Sequence, residues 1–187
     1  EVRSSAFRGD CPIQSHAPPA PNCALADIRP GEGLVICSSQ DVWNARRTIA
    51  ALVGLAPEQV RVQYADSSGT YGRSCYDDAA QAAAILSQLA GAPVRLQFMR
   101  ADEHGWDSYG PAHVGEVRVS AGTDGKLIAY EYHGWQHNWS LVETSAQLAG
   151  AQPATEWPFN PVQGVNALVC GGMYDIANVR LVNHQLP

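Results

Sequence analysis

Apolar and polar residues alternate with period two over Val60-Arg61-Val62-Gln63-Tyr64 and again over Val94-Arg95-Leu96-Gln97-Phe98-Met99. Successive side chains on a strand point to opposite faces, so each segment predicts a half-buried strand. Upstream, the apolar runs Cys23–Ile28 and Leu34–Cys37 flank Arg29-Pro30-Gly31-Glu32-Gly33, whose proline and glycines mark the turn of an antiparallel hairpin. Between these strands the period changes. Val42, Ala45, Ile49, Leu52 and Val53 recur at helical spacing behind Ser39 or Asp41 as N-cap, and Gly54 and Pro57 end the helix near Leu52. A second helix, Ala79–Ala90, starts behind Asp77 and Asp78 at the positive end of its dipole; its alanines permit close packing. Residues 23–100 therefore read β-β-α-β-α-β.

The flanks are less regular. Residues 1–22 are expected to form an irregular lead-in, because four prolines fall within 11–22 and proline neither donates to a sheet ladder nor sits inside a helix. After a short helical turn and loop over Ala101–Pro111, residues 112–135 form a hairpin about the Asp-Gly of Thr123-Asp124-Gly125-Lys126. Residues 136–187 are poorly periodic, with a short helix over Leu141–Leu148 and a last strand at Val179–Val182. The expected class is α+β: a mixed sheet covered by two helices, then a β-hairpin extension, in a single domain fragment over 1–187.

Composition narrows the function. The 187 residues are 45% hydrophobic and 16% charged, with a net charge of −6, and the basic residues do not cluster. Nucleic acid is thereby excluded as a partner, since binding a phosphate backbone needs a basic stripe. No apolar run is long enough for a membrane span, and the first residues lack the features of a signal peptide. The compartment stays open between bacterial cytoplasm and periplasm. Five cysteines without a C-x-x-C pair fit neither a disulfide framework nor a zinc ribbon. His133 and His137, four apart on a strand, would stand about 13 Å from each other, too far for one metal.

The chemistry concentrates in Ala65-Asp66-Ser67-Ser68-Gly69-Thr70-Tyr71-Gly72, the loop between a strand and the Ala-rich helix. Gly69 and Gly72 carry no Cβ and accept positive φ, so a flat or anionic cofactor could approach the main chain there. A strand, Gly loop and helix is also a common plain connection.

Taken with Gln14 in the Pro-rich approach, the Asp77-Asp78-Ala79-Ala80 helix start and Ala92-Pro93-Val94-Arg95-Leu96-Gln97-Phe98-Met99-Arg100, this loop completes an ordered series. Gln14-Ser15-His16-Ala17-Pro18, Gly54-Leu55-Ala56-Pro57-Glu58-Gln59-Val60 and Tyr174-Asp175-Ile176-Ala177-Asn178 extend it over nearly the whole chain. The series resembles the molybdopterin-binding subunit of the xanthine dehydrogenase and aldehyde oxidase family of molybdenum hydroxylases, nearest its isoquinoline- and nicotinate-oxidising branch.

That resemblance implies an enzyme that hydroxylates an aldehyde or N-heterocycle with oxygen from water, a glutamate acting as base and electrons leaving through iron–sulfur clusters. It implies that Gln14 hydrogen-bonds the apical oxo ligand of molybdenum, and that Gly69, Thr70, Tyr71 and Gly72 lay their main chain beside a molybdenum–molybdopterin cofactor, in its cytosine dinucleotide form. No residue here is implied as a metal ligand or as the catalytic glutamate. Further molybdopterin-binding domains, an iron–sulfur subunit or domain and a small organic substrate are the implied partners, and the chain alone is expected to be inactive. Arg73-Ser74-Cys75 stands where some members carry a substrate-facing glutamate, which leaves the substrate unassigned.

Two further classes fit parts of the pattern: a non-catalytic module that folds alone without cofactor, and a phosphate-binding domain, against which the lack of a Walker Lys-Ser/Thr pair speaks. Asp102, Glu103 and Asp107 read as a solvated turn, Cys75 as a packed thiol, Asn138-Trp139-Ser140 as a chance sequon, and Trp135, Trp139 and Trp157 as the cover of a core edge or interface.

Overall fold

The computed structural model describes residues 2–72, 78–106, 109–110, 112–137 and 174–186. In chain order these form β1 (Arg3–Cys11), β2 (Cys23–Arg29), β3 (Glu32–Cys37), α1 (Val42–Val53), β4 (Val60–Tyr64), α2 (Asp78–Ala90), β5 (Val94–Gln97), α3 (Arg100–Trp106), β6 (His113–Ala121), β7 (Leu127–His137) and β8 (Asn178–Leu186). The α+β class is observed, with two four-stranded sheets instead of one sheet and an appended hairpin. The expected helix 141–148 and the sequon lie outside the described residues, as do Cys75, Asp107, Trp139 and Trp157.

The chain divides into two compact units. One holds Ser15–Gly110 and the β-β-α-β-α-β series, in a mixed sheet of order β4-β3-β2-β5 with β3 and β4 parallel. Asp41 caps α1 by accepting from Asn44 N–H at 3.0 Å, and Gly54 ends it at φ 70°. The inward face of α1, Ala45, Ile49, Ala50 and Val53, meets Ala79, Ala80, Ala83 and Ala84 of α2 and Ala24, Ala26, Ile28 and Val35 of the sheet in one buried cluster. The alanines of α2 make this possible, since a methyl group brings helix and sheet backbones closer than a longer side chain would. Ser87 fastens the helix to the sheet: its Oγ accepts from Ile28 N–H at 2.9 Å and donates to Ala92 O at 2.8 Å. Tyr64, expected on the buried side of β4, is exposed.

The other unit contains residues 2–14, 112–137 and 174–186, in a sheet of order β1-β6-β7-β8. The irregular lead-in expected over 1–22 is corrected here: Arg3–Cys11 is a strand, paired antiparallel with β6 along its whole length. Its sequence shows little apolar alternation because its side chains are exposed, and the backbone ladder sets its conformation. β6 and β7 form the hairpin, and β8 runs parallel to β7. At the paired Gly115 and Gly134 the Tyr132 ring lies over the backbone, where a Cβ at Gly134 would come within 2.8 Å of it. Glu131, His133 and Trp135 share one face of β7. There His133 Nε2 lies 3.1 Å from Glu131 Oε1 and its Nδ1 lies 3.3 Å from His184 Nε2, while Trp135 stacks on His184 at 4.6 Å between centroids.

Candidate functional site

The Gly loop leaves β4 through Ala65, whose N–H donates to Cys37 O at 2.9 Å, and Asp66, whose carboxylate hydrogen-bonds Tyr64 and pushes that phenol's pKa above its ordinary 10.0. Gly69, Tyr71 and Gly72 have φ of 103°, 53° and 106°. Positive φ costs glycine nothing, whereas a tyrosine holds it only where its surroundings fix it. Both glycines are needed for packing within the loop. A Cβ at Gly69 would stand 3.1 Å from the Tyr71 ring, and one at Gly72 would stand 2.9 Å from the ring of His16.

His16 belongs to the Pro-rich approach, which the fold lays against this loop. Ala20 N–H donates to Ser68 Oγ at 2.7 Å. Arg100, at the start of α3, donates through Nη2 to Pro18 O and to Pro19 O, and through Nη1 to Glu103 Oε2 at 2.6 Å. Glu103 Oε1 accepts from Asn22 N–H at 2.6 Å, and Asn22 O accepts from Phe98 N–H at 2.9 Å. The reading of 102–107 as a solvated turn is therefore corrected for Glu103, which is 1% exposed and anchors the approach. Asp102 caps α3 by accepting from Met99 N–H at 2.9 Å.

Of the residues singled out by sequence, Gly69, Thr70, Tyr71 and Gly72 lie together in this cluster, with Tyr71 exposed. Gln14 closes the N-terminal stretch of the other unit and is exposed; the contact with Gly72 comes from His16, two residues further on. Sequence reasoning assigned no role to His16, Ser68, Arg100 or Glu103. Only the i, i+3 spacing of Arg100 and Glu103 hinted at a pair, and nothing local showed that it would be buried.

Among the described residues several buried polar atoms have no hydrogen-bond partner: His16 Nδ1 and Asn22 Nδ2 in the approach, and both amide atoms of Gln81 in the first turn of α2. Gln81 is fully buried. Such atoms cost about 1–3 kcal/mol each unless water or a ligand satisfies them. This donor and acceptor set fits a polar cofactor able to satisfy it. It does not fit a bare metal ion: among the described residues no group of three His, Cys, Asp or Glu converges. A recess of about 700 Å³ lies elsewhere, over the other unit's sheet between Ser5, Arg118, Tyr130 and Arg180. It is an open sheet face without the bared backbone that marks the loop. Among the described residues no helix is long and apolar enough to cross a membrane.

The comparisons with known proteins agree with this geometry. A family model described as a molybdopterin cofactor-binding domain matches residues 7–185. A nicotinate dehydrogenase subunit of Pseudomonas putida is 34% identical over 121 residues, which is 65% of this chain and 10% of that protein. Among solved structures, the aldehyde oxidoreductase of Desulfovibrio gigas superimposes with a TM-score of 0.73 at 20% identity, over 100% of this chain and 19% of that one. CO dehydrogenase of Oligotropha carboxidovorans gives 0.69 at 17% identity, over 98% and 22%. The chain thus spans between a tenth and about a fifth of the length of these proteins.

Proposed function

Because the chain belongs to the molybdopterin cofactor-binding domain family, we propose that it supplies early cofactor contacts in a molybdenum hydroxylase that oxidises an aldehyde or N-heterocycle with water as the oxygen source. The observation that carries this reading is the set of buried polar atoms without a hydrogen-bond partner among the described residues, with His16 against Gly72 and Gln81 in the helix that follows the loop. When bound, the molybdenum–molybdopterin cofactor, proposed in its cytosine dinucleotide form, supplies two-electron redox chemistry that no side chain here has. The chain's own part is to bind and orient. The backbone of Gly69, Thr70, Tyr71 and Gly72 offers preorganised dipoles. Gln14 offers a neutral amide donor, which steadies an anionic oxygen without adding charge.

The remaining cofactor-binding domains, an iron–sulfur subunit or domain and the base for the substrate proton belong, on this reading, to further polypeptide. Arg100 is neutralised by Glu103, so the loop offers no free cation to a phosphate from that position.

Metal analysis and pterin fluorescence on the complete protein test the proposal. Molybdenum and pterin in equal amounts are expected; a purified protein holding neither would overturn it. In the loaded protein Gln14→Ala is expected to lower turnover by about 10–100-fold, the usual cost of losing an outer hydrogen bond to a metal centre. Unchanged turnover would remove Gln14 from the site.

A further inference from the structure

We infer that Arg100 and Glu103 are positioning residues for the proposed cofactor site, acting by holding Pro18–Asn22 in one conformation against the Gly loop. The inference rests on the cofactor reading above. Its basis is an inventory of hydrogen-bonding groups. Pro18, Pro19 and Pro21 have no N–H, so Pro18-Pro19-Ala20-Pro21-Asn22 owns only two backbone donors. Both are taken, and from different elements: Ala20 N–H by Ser68 Oγ of the loop, Asn22 N–H by Glu103 Oε1 of α3. The carbonyls of Pro18 and Pro19 are taken by Arg100, and that of Asn22 by Phe98 N–H. Every one of these bonds reaches at least 48 positions along the chain, so none could form from local sequence.

The pair is built to hold geometry. Glu103 is 1% exposed, and a buried carboxylate is tolerated only with both oxygens satisfied; here each has one charge-assisted partner at 2.6 Å. Apolar side chains would fill the same space at similar or better stability, but they would not fix direction. Direction matters just upstream. Ala17 has φ of 37°, a left-handed value that a non-glycine residue resists, and most of all before a proline. Pro18 is buried, its carbonyl is gripped by Arg100, and His16 is thereby seated on Gly72. Without the grip, Ala17 would relax towards extended backbone and carry His16 away from the loop. The loop would then lose the neighbour that fills the space above Gly72.

The test uses the complete protein, wild type and three variants: Glu103→Gln, Arg100→Lys and the double exchange Arg100→Met with Glu103→Met. Hydrogen exchange should rise about tenfold or more at Ala20 and Asn22 in each variant, with α1 and β2–β3 amides unchanged. Turnover per bound molybdenum should fall about tenfold or more, as a small misplacement near reacting groups does, with KM within about twofold. The double exchange, which restores packing without charge, should keep the melting temperature and still show the fast exchange and low turnover. Wild-type exchange and turnover in all three would overturn the inference, as would an equal rise in exchange throughout α1 and β2–β3, which marks a merely structural role. If the wild-type protein holds no molybdenum, the cofactor reading fails and with it the positioning role, while the exchange at Ala20 and Asn22 still reads the grip itself.

Discussion

The described residues of the two units bury very different amounts of apolar surface. In the unit spanning Ser15–Gly110, Ala26, Val35, Ile49, Ala83 and Ala84 are all 0% exposed and belong to one cluster. In the unit built on β1, β6, β7 and β8, no hydrophobic residue among those described falls into the buried core, and Phe7 of β1 is 61% exposed. One unit has a core of its own. Among the described residues the other is joined by ladder hydrogen bonds and by cross-strand polar pairs such as Glu131 with Arg180 at 3.1 Å. The difference teaches where rigidity is available. The Gly loop and its proline-rich approach are fastened to the unit with the core, and a binding site placed there inherits the precision of its packing.

The sharpest test of this contrast is Ile49→Ala, which should cost about 2–5 kcal/mol in denaturant unfolding because it opens a cavity in a closed core. A cost below about 1 kcal/mol would mean that the core is not tight. Next, Gly72→Ala forces a methyl group to within 2.9 Å of His16 at φ 106°, and a loss of about 1–3 kcal/mol is expected, with faster exchange confined to the loop and the approach. A neutral outcome would show that the approach gives way easily. Asp41→Ala removes the cap of α1 and should cost about 1 kcal/mol by the same measurement.

Effects in the open sheet should be smaller. The hydrogen bond from His133, and after it the nearby Arg180, His133 and Arg118 charges against an opposing desolvation, hold the Glu131 carboxyl below its ordinary 4.5. A folded-state value below the unfolded one means stabilisation in full above pH 4.5 that fades as pH falls through the lowered value. Glu131→Gln should therefore flatten the acid limb by lowering stability modestly at neutral pH while leaving it nearly unchanged below the lowered value, and an unaltered acid limb would contradict the assignment. Least of all, Phe7→Ala should change stability by no more than about 0.5 kcal/mol; a cost matching that of Ile49→Ala would abolish the contrast between the units.

How much of this was legible follows the same division. The β-β-α-β-α-β order of 23–100, the cap at Asp41, the end at Gly54 and the Asp-Gly hairpin turn were readable because each depends on residues within a few positions of one another. The Gly loop was visible as composition, and the positive φ of Gly69 and Gly72 follows from glycine chemistry. The strand at Arg3–Cys11 was not, since exposed polar side chains leave no periodic trace and its partners stand about a hundred residues away. Glu103 read as a solvated turn because burial belongs to what folds over a residue, and here that was Pro18–Asn22. His137 is the near neighbour of His133 in sequence, whereas the fold brings it His184 across a parallel pair.

By itself, then, the sequence determined the local elements of one unit, the hairpin and last strand of the other, the bare loop and the family resemblance, all set by short-range sterics and residue type. Tertiary structure alone decided the strand at Arg3–Cys11 and the assembly of the second sheet, the pairing of His133 with His184 and the grip of Arg100 and Glu103 on the approach. Those contacts join segments whose meeting is governed by the global packing of the chain, and no local pattern encodes which distant backbone donor a buried carboxylate will find.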